Sequence, residues 1–171
     1  MLRQLALVPL ACTAMAMEPA GTTPLLVQVG GTYMNPDLRE ELETDWGYSA
    51  GIATLLAESG LMGVPSLDID CRYAPDGEGS LTTFEATYAE RALIGDRHWI
   101  GVGIGSNFVR LKLDETPDRK ADSERRWDVG GKAMIGYLVS DRLFIEGTYH
   151  YTREALDMDT SSATLAIGYW F

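Results

Sequence analysis

The side chains from which chemistry could be made are Asp68, Asp70, Arg72, Glu85, Arg91, Asp128, Lys132, Glu146 and His150. They mix both signs of charge and include an imidazole. Brought together away from water, such a set either pairs into a salt-bridged plug or lines a gated proton or ion path. Glycines at 101, 103 and 105 alternate with Val102 and Ile104. That spacing belongs to a strand in a crowded interior and not to a phosphate-cradling loop. Cys12 and Cys71 are the only cysteines. No metal-ligand spacing and no cofactor motif occurs, so the expectation is neither metal nor cofactor.

The elements that must hold these residues repeat with period two, as strands do. In 161–171, Ala163, Leu165, Ile167, Tyr169 and Phe171 are apolar, while Ser162, Thr164, Ala166 and Gly168 are small or polar, with Trp170 as the exception. Alternation of the same kind places Val27, Val29 and Tyr33 opposite Gln28, Gly30 and Thr32 in 25–34. It recurs in 46–56, 65–74, 81–92, 98–110, 127–139 and 143–153. Eight strands are therefore expected. Four of them carry the chemistry-bearing residues, always on the non-apolar face: Asp68, Asp70 and Arg72; Glu85 and Arg91; Asp128 and Lys132; Glu146 and His150.

The connections divide into longer polar ones (35–45, 75–80, 114–126, 154–159) and shorter ones such as Gly95-Asp96-Arg97 and Ser140-Asp141-Arg142. Only 59–64 is long and apolar among the turns. The chain has 171 residues, one domain's worth, and no apolar run long enough for a spanning helix, which takes about 20 residues. A formal net charge of −11 speaks against nucleic acid as a partner.

Which face meets the surroundings decides between a membrane barrel and a soluble lipocalin-like barrel that hides its apolar face inside. The opposite-sign charges interleaved with glycine suit a narrow polar lumen. Apolar-face aromatics gather at strand ends, with Tyr33, Tyr48, Tyr73, Phe108, Trp127 and Tyr151 at the loop ends and Tyr137, Tyr169 and Phe171 at the turn ends. Two such bands read as interfacial girdles. Residues 1–16 read as an export signal: Arg3, an apolar stretch from Leu5 to Ala14, and Ala14-Met15-Ala16 as the cleavage site. Residues 17–171 are then the barrel domain. Cleavage would leave Cys71 without a disulfide partner; lipidation of Cys12 is the lesser alternative.

Tyr149-His150-Tyr151-Thr152 followed by Thr164-Leu165-Ala166-Ile167-Gly168-Tyr169-Trp170-Phe171 resembles the small outer-membrane β-barrel families of OmpA, OmpX and opacity-protein type. The resemblance implies an all-β, eight-stranded, antiparallel up-and-down transmembrane barrel in the bacterial outer membrane, with its loops extracellular. It further implies that Leu165, Ile167, Tyr169 and Phe171 form the signal read by the outer-membrane assembly machinery. The partners implied are outer-membrane lipid, lipopolysaccharide and that machinery, with a monomer expected.

Lipid A deacylase barrels, which use a His-x-Ser pair with an acid, offer a partial likeness in His150, Thr152 and Glu146. Here Thr152 stands in place of Ser, Ser161 and Ser162 stand where an acid would follow, and His150 lies on the interior face. The expectation is a non-enzymatic barrel, structural or surface-interacting, with a closed salt-bridged interior. The acidic segment 35–45 (Asp37, Glu40, Glu41, Glu43 and Asp45 against Arg39) is expected to be a solvated loop, with contact to cations at the cell surface as the alternative.

Overall fold

A computed structural model describes residues 24–56, 60–75, 79–117 and 120–171; the expected signal at 1–16 lies outside them. Eight strands follow in order: β1 (Leu25–Met34), β2 (Trp46–Leu55), β3 (Val64–Pro75), β4 (Gly79–Ile94), β5 (His98–Leu113), β6 (Asp122–Leu138), β7 (Leu143–Tyr151) and β8 (Ser162–Trp170). Each pairs antiparallel with the next, and β8 returns to β1, so the sheet is a closed up-and-down barrel. Closure satisfies the edge groups that an open sheet would leave unpaired. No helix among the described residues is long and apolar enough to cross a membrane.

The alternation legible in the sequence sets the two surfaces. Val29, Tyr48, Ile69, Ile104, Trp127, Ile135, Leu165 and Phe171 point outward and are exposed, while Thr32, Asp70, Glu85, Lys132, Glu146 and Thr164 point inward and are buried. This is the reverse of a lipocalin-like arrangement. The step from Phe108 to His98 on the outer face of β5, through Ile104, Val102 and Ile100, covers about 25 Å of height at the usual strand rise and tilt. Rings cluster at both ends of that band: Phe108 with Trp127 (5.1 Å between centroids) and Phe84 (6.4 Å) at one, His98 with Tyr137 (4.9 Å) at the other.

Three expectations need correction. The segment 35–45 is not simply a polar loop: it holds a short helix, α1 (Pro36–Leu42). Asn35 caps it by accepting from the Asp37 amide, Pro36 begins it, and Glu43 ends it in the left-handed region at φ 51°. Leu38 and Leu42, one turn apart, are fully buried in the barrel mouth while the acids face away. Second, β4, β5 and β6 run longer than the alternation suggested, reaching 79–94, 98–113 and 122–138. Residues 122–130 of β6 lie beyond its pairing with β7, which begins at Gly131↔Tyr151, so the β5–β6 hairpin rises above the barrel wall.

Third, the interior is polar only in its middle. Met34, Leu38, Leu42, Ala74, Leu81, Val109, Leu111, Leu113 and Ala155 form an apolar cluster at the loop end. Leu26, Ala53, Leu55, Trp99 and Phe144 form another at the turn end, with Leu138 and Trp170 packed against it. Trp170, the exception to the alternation, belongs to this inner plug and meets Phe144 edge-on at 6.3 Å.

Candidate functional site

Between the two apolar plugs, the strand register stacks the charged side chains into two adjoining layers. In the layer nearer the turns, Arg91 on β4 bonds Asp68 of the neighbouring β3 at 3.0 Å and reaches across the lumen to Glu146 of β7 at 3.3 Å. Lys132 of β6 spans to β3, 2.8 Å from Asp68 and 2.6 Å from Asp70. Neutral donors complete the carboxylates. Ser66 donates to Asp68 at 2.6 Å, Gln28 to Asp70 at 3.2 Å, and the Trp99 indole to Glu146 at 3.0 Å.

In the layer nearer the loops, Glu85 of β4 lies 3.2 Å from Arg72 of β3 and 2.9 Å from His150 Nδ1 on β7. Arg72 also donates to Ser162 of β8 at 2.6 Å. Four carboxylates thus face three permanent cations and one imidazole, and struts cross the lumen between walls far apart in sequence. Paired in this way, charges withdrawn from water avoid the cost that an isolated buried charge would carry. Glycine makes the packing feasible: a Cβ at Gly103 would lie 3.1 Å from the Lys132 stem.

Eight of the nine residues singled out for the lumen come together here: Asp68, Asp70, Arg72, Glu85, Arg91, Lys132, Glu146 and His150. Asp128 does not. It points inward, but at the rim and in partial contact with solvent, pairing with Arg126 at 2.7 Å and lying 3.9 Å from Arg153. Its strand continues above the wall, so its inward face there lines the mouth. Arg91, on the inward face in the same alternation, holds the layer nearer the turns. Ser66, Trp99 and Ser162 are further network members that the alternation did not single out: Trp99 and Ser162 join through contacts between non-adjacent strands, and Ser66 bonds Asp68 on its own strand and accepts from Arg91 on the next.

His150, Glu146 and Thr152 do not assemble a nucleophilic relay. His150 bonds Glu85, Glu146 holds Arg91 and Trp99, and the Thr152 hydroxyl pairs with that of Thr160 at 2.7 Å. A relay needs nucleophile, base and orienting acid in one hydrogen-bonded chain. Inward polar atoms of Thr83, Thr87 and Asn107, on β4 and β5, have no protein partner among the described residues; such groups are ordinarily satisfied by internal water. Among the described residues, no cluster of three His, Cys, Asp or Glu could hold a metal ion.

At the mouth, Arg126, Glu124, Arg153, Glu154, Leu156 and Asp157 line a polar recess of about 440 Å³ between the β5–β6 hairpin and the segment after β7. Arg126 bonds Glu124 and Asp128 and donates to the Glu154 carbonyl, and the Leu156 amide donates to Glu124 at 2.6 Å. The recess is thus internally paired. Asn35 donates to Asp159 at 2.8 Å, fastening the α1 segment to the neighbouring β7–β8 loop.

No protein-family model and no curated protein matches the chain. Solved structures do. The attachment invasion locus protein Ail of Yersinia pestis is similar over 88% of this chain and all of its own, with a TM-score of 0.62 and 12% identity. The N-terminal β-barrel domain of Pseudomonas aeruginosa OprF is similar over 89% of this chain and all of its own, at 0.57 and 15%. Neisserial surface protein A is similar over 86% of this chain and 95% of its own, at 0.56 and 13%. What this chain shares with them is the fold of a small eight-stranded barrel.

Proposed function

We propose that the chain is an integral outer-membrane protein of a Gram-negative bacterium, non-enzymatic, with a structural or surface-interacting role and a closed interior. The observation that carries this reading is the division of the barrel: an outer wall apolar between two aromatic girdles, around a lumen of cross-linked charges stoppered at both ends by apolar side chains. A wall of that kind is stable in lipid and aggregation-prone in water. An ion crossing the lumen would have to part several pairs and displace both plugs.

The loop end, with α1 and the raised hairpin, faces outward from the cell in this reading. Residues 1–16 are the export signal, and the outward row Leu165, Ile167, Tyr169 and Phe171 is what the assembly machinery reads. The protein functions as a monomer without cofactor or metal, its partners being membrane lipid and lipopolysaccharide.

The test joins two measurements. Unboiled protein in detergent should migrate on a gel differently from boiled protein, and the folded form should need detergent or lipid. In planar bilayers it should show no stable open channel. A folded monomer that persists without detergent would defeat the membrane reading, and a sustained ohmic conductance would defeat the closed interior. Deacylation of purified lipid A, lost in His150→Ala, would overturn the non-enzymatic role.

A further inference from the structure

The outer wall carries one feature that neither the lumen nor the girdles account for. Arg110 of β5 and Arg125 of β6 are direct cross-strand partners. They lie one outward step beyond Phe108 and Trp127 towards the hairpin, and both are exposed. Like charges directly opposite each other on a sheet destabilise the pairing. Two cations nearby are matched: Lys112 lies 2.5 Å from Asp114, and Arg126, on the inward face, is held by Glu124 and Asp128. Arg110 and Arg125 have no carboxylate partner among the described residues, in a chain whose net charge is −11. On β4, the residue paired with Arg110 is the neutral Thr82.

Their height matters as much as their charge. The rings of Phe108 and Trp127, 5.1 Å apart, mark the upper edge of the apolar band. Aromatic side chains there sit at headgroup level. Two guanidinium groups one step above them would stand among the polar headgroups of the outer leaflet. Arginine presents a planar fork of donors that matches phosphate oxygens two at a time. A phosphate placed between the pair would turn a repulsive contact into a bridged one.

We propose that Arg110 and Arg125 form a binding site on the barrel's outer wall for the phosphate of an outer-leaflet glycolipid headgroup. The site rests on the membrane reading above, and it holds the lipid beside the Phe108–Trp127 pair, where an acyl chain can lie down the apolar wall below. It differs from the acidic 35–45 segment, where contact with surface cations was the alternative expectation.

The experiment measures binding of phosphorylated lipid A to the full folded protein in neutral detergent micelles, by native mass spectrometry. Arg110→Gln/Arg125→Gln should weaken binding about tenfold or more, and dephosphorylated lipid A should bind the unaltered protein as weakly. The Arg110→Lys/Arg125→Lys variant should fall between, because it keeps charge but loses the fork. Arg142→Gln, in a turn at the far end, should leave binding unchanged. Heat-modifiable migration, read on each variant, separates failure to fold from failure to bind. Unfolded protein throughout would sink the membrane reading and this site with it. A folded double variant that binds like the unaltered protein would overturn the site alone. So would equal binding of dephosphorylated lipid A, competition by equimolar inorganic phosphate, or preference of the pair for a soluble sulfated sugar.

Discussion

Single residues in this barrel differ most by where their charges sit. Glu146 is buried between Arg91 and the Trp99 indole, whereas the Lys112–Asp114 pair is roughly half exposed. Removing one member of a buried pair strands the other, at a cost of about 3–5 kcal/mol, while an exposed pair contributes about 0–1 kcal/mol. Glu146→Gln should therefore lower the urea midpoint of the protein folded in lipid vesicles far more than Asp114→Asn does. Equal, small effects would mean that the lumen charges are hydrated and do not hold the walls together. The inward placement of all nine expected residues was legible because a strand permits only two facings. Their pairing was not legible: Arg91 meets Glu146 across the lumen, a relation set by closure of the barrel and by no local pattern. Asp128 obeyed the alternation and still fell outside the network, since facing says nothing about height.

Elements were legible in proportion to how far one rule governed them. Period two placed all eight strands, because each has one face to water-excluded polar groups and one to an apolar exterior. It failed at their ends. Beyond the band the outward residues turn polar, as at Arg110, Lys112, Ser123 and Arg125, and the strand continues without its signature. Helix α1 was missed because its acids dominate the segment, although Asn35-Pro36 and the Leu38–Leu42 spacing carried the signal. Those leucines hold the lid in the mouth. Leu38→Ala/Leu42→Ala should make trypsin cut after Arg39 several-fold faster in the folded protein, with the strands still protected; an unchanged rate would show that other contacts hold the lid. At the opposite plug, Trp99 lies over its cross-strand partner Gly136 and Phe144 over Gly168. A methyl group at position 136 has no room without moving the indole. Gly136→Ala should cost about 1–3 kcal/mol and shift the Trp99 emission as its bond to Glu146 is disturbed. Unaltered stability and emission would mean that this plug is loosely packed.

For the whole molecule, the proposed membrane role turns on which surface of the barrel meets lipid. The outward apolar wall, the two girdles and the stoppered lumen all follow from one orientation of the alternation, and an inverted barrel would lose all three together. Cys71 offers a native probe of it. The residue lies on the outer face of β3, opposite Phe84 and Ala50 and one outward step below Tyr73, in the loop-end part of the apolar band. With Cys12→Ala leaving it as the single thiol, a fluorophore attached to Cys71 in the unfolded chain can be carried into the barrel as it folds into vesicles. Brominated acyl chains should then quench the probe strongly and aqueous iodide barely at all. Strong iodide quenching with no effect of brominated lipid, in a barrel shown to be folded, would contradict the membrane-embedded wall.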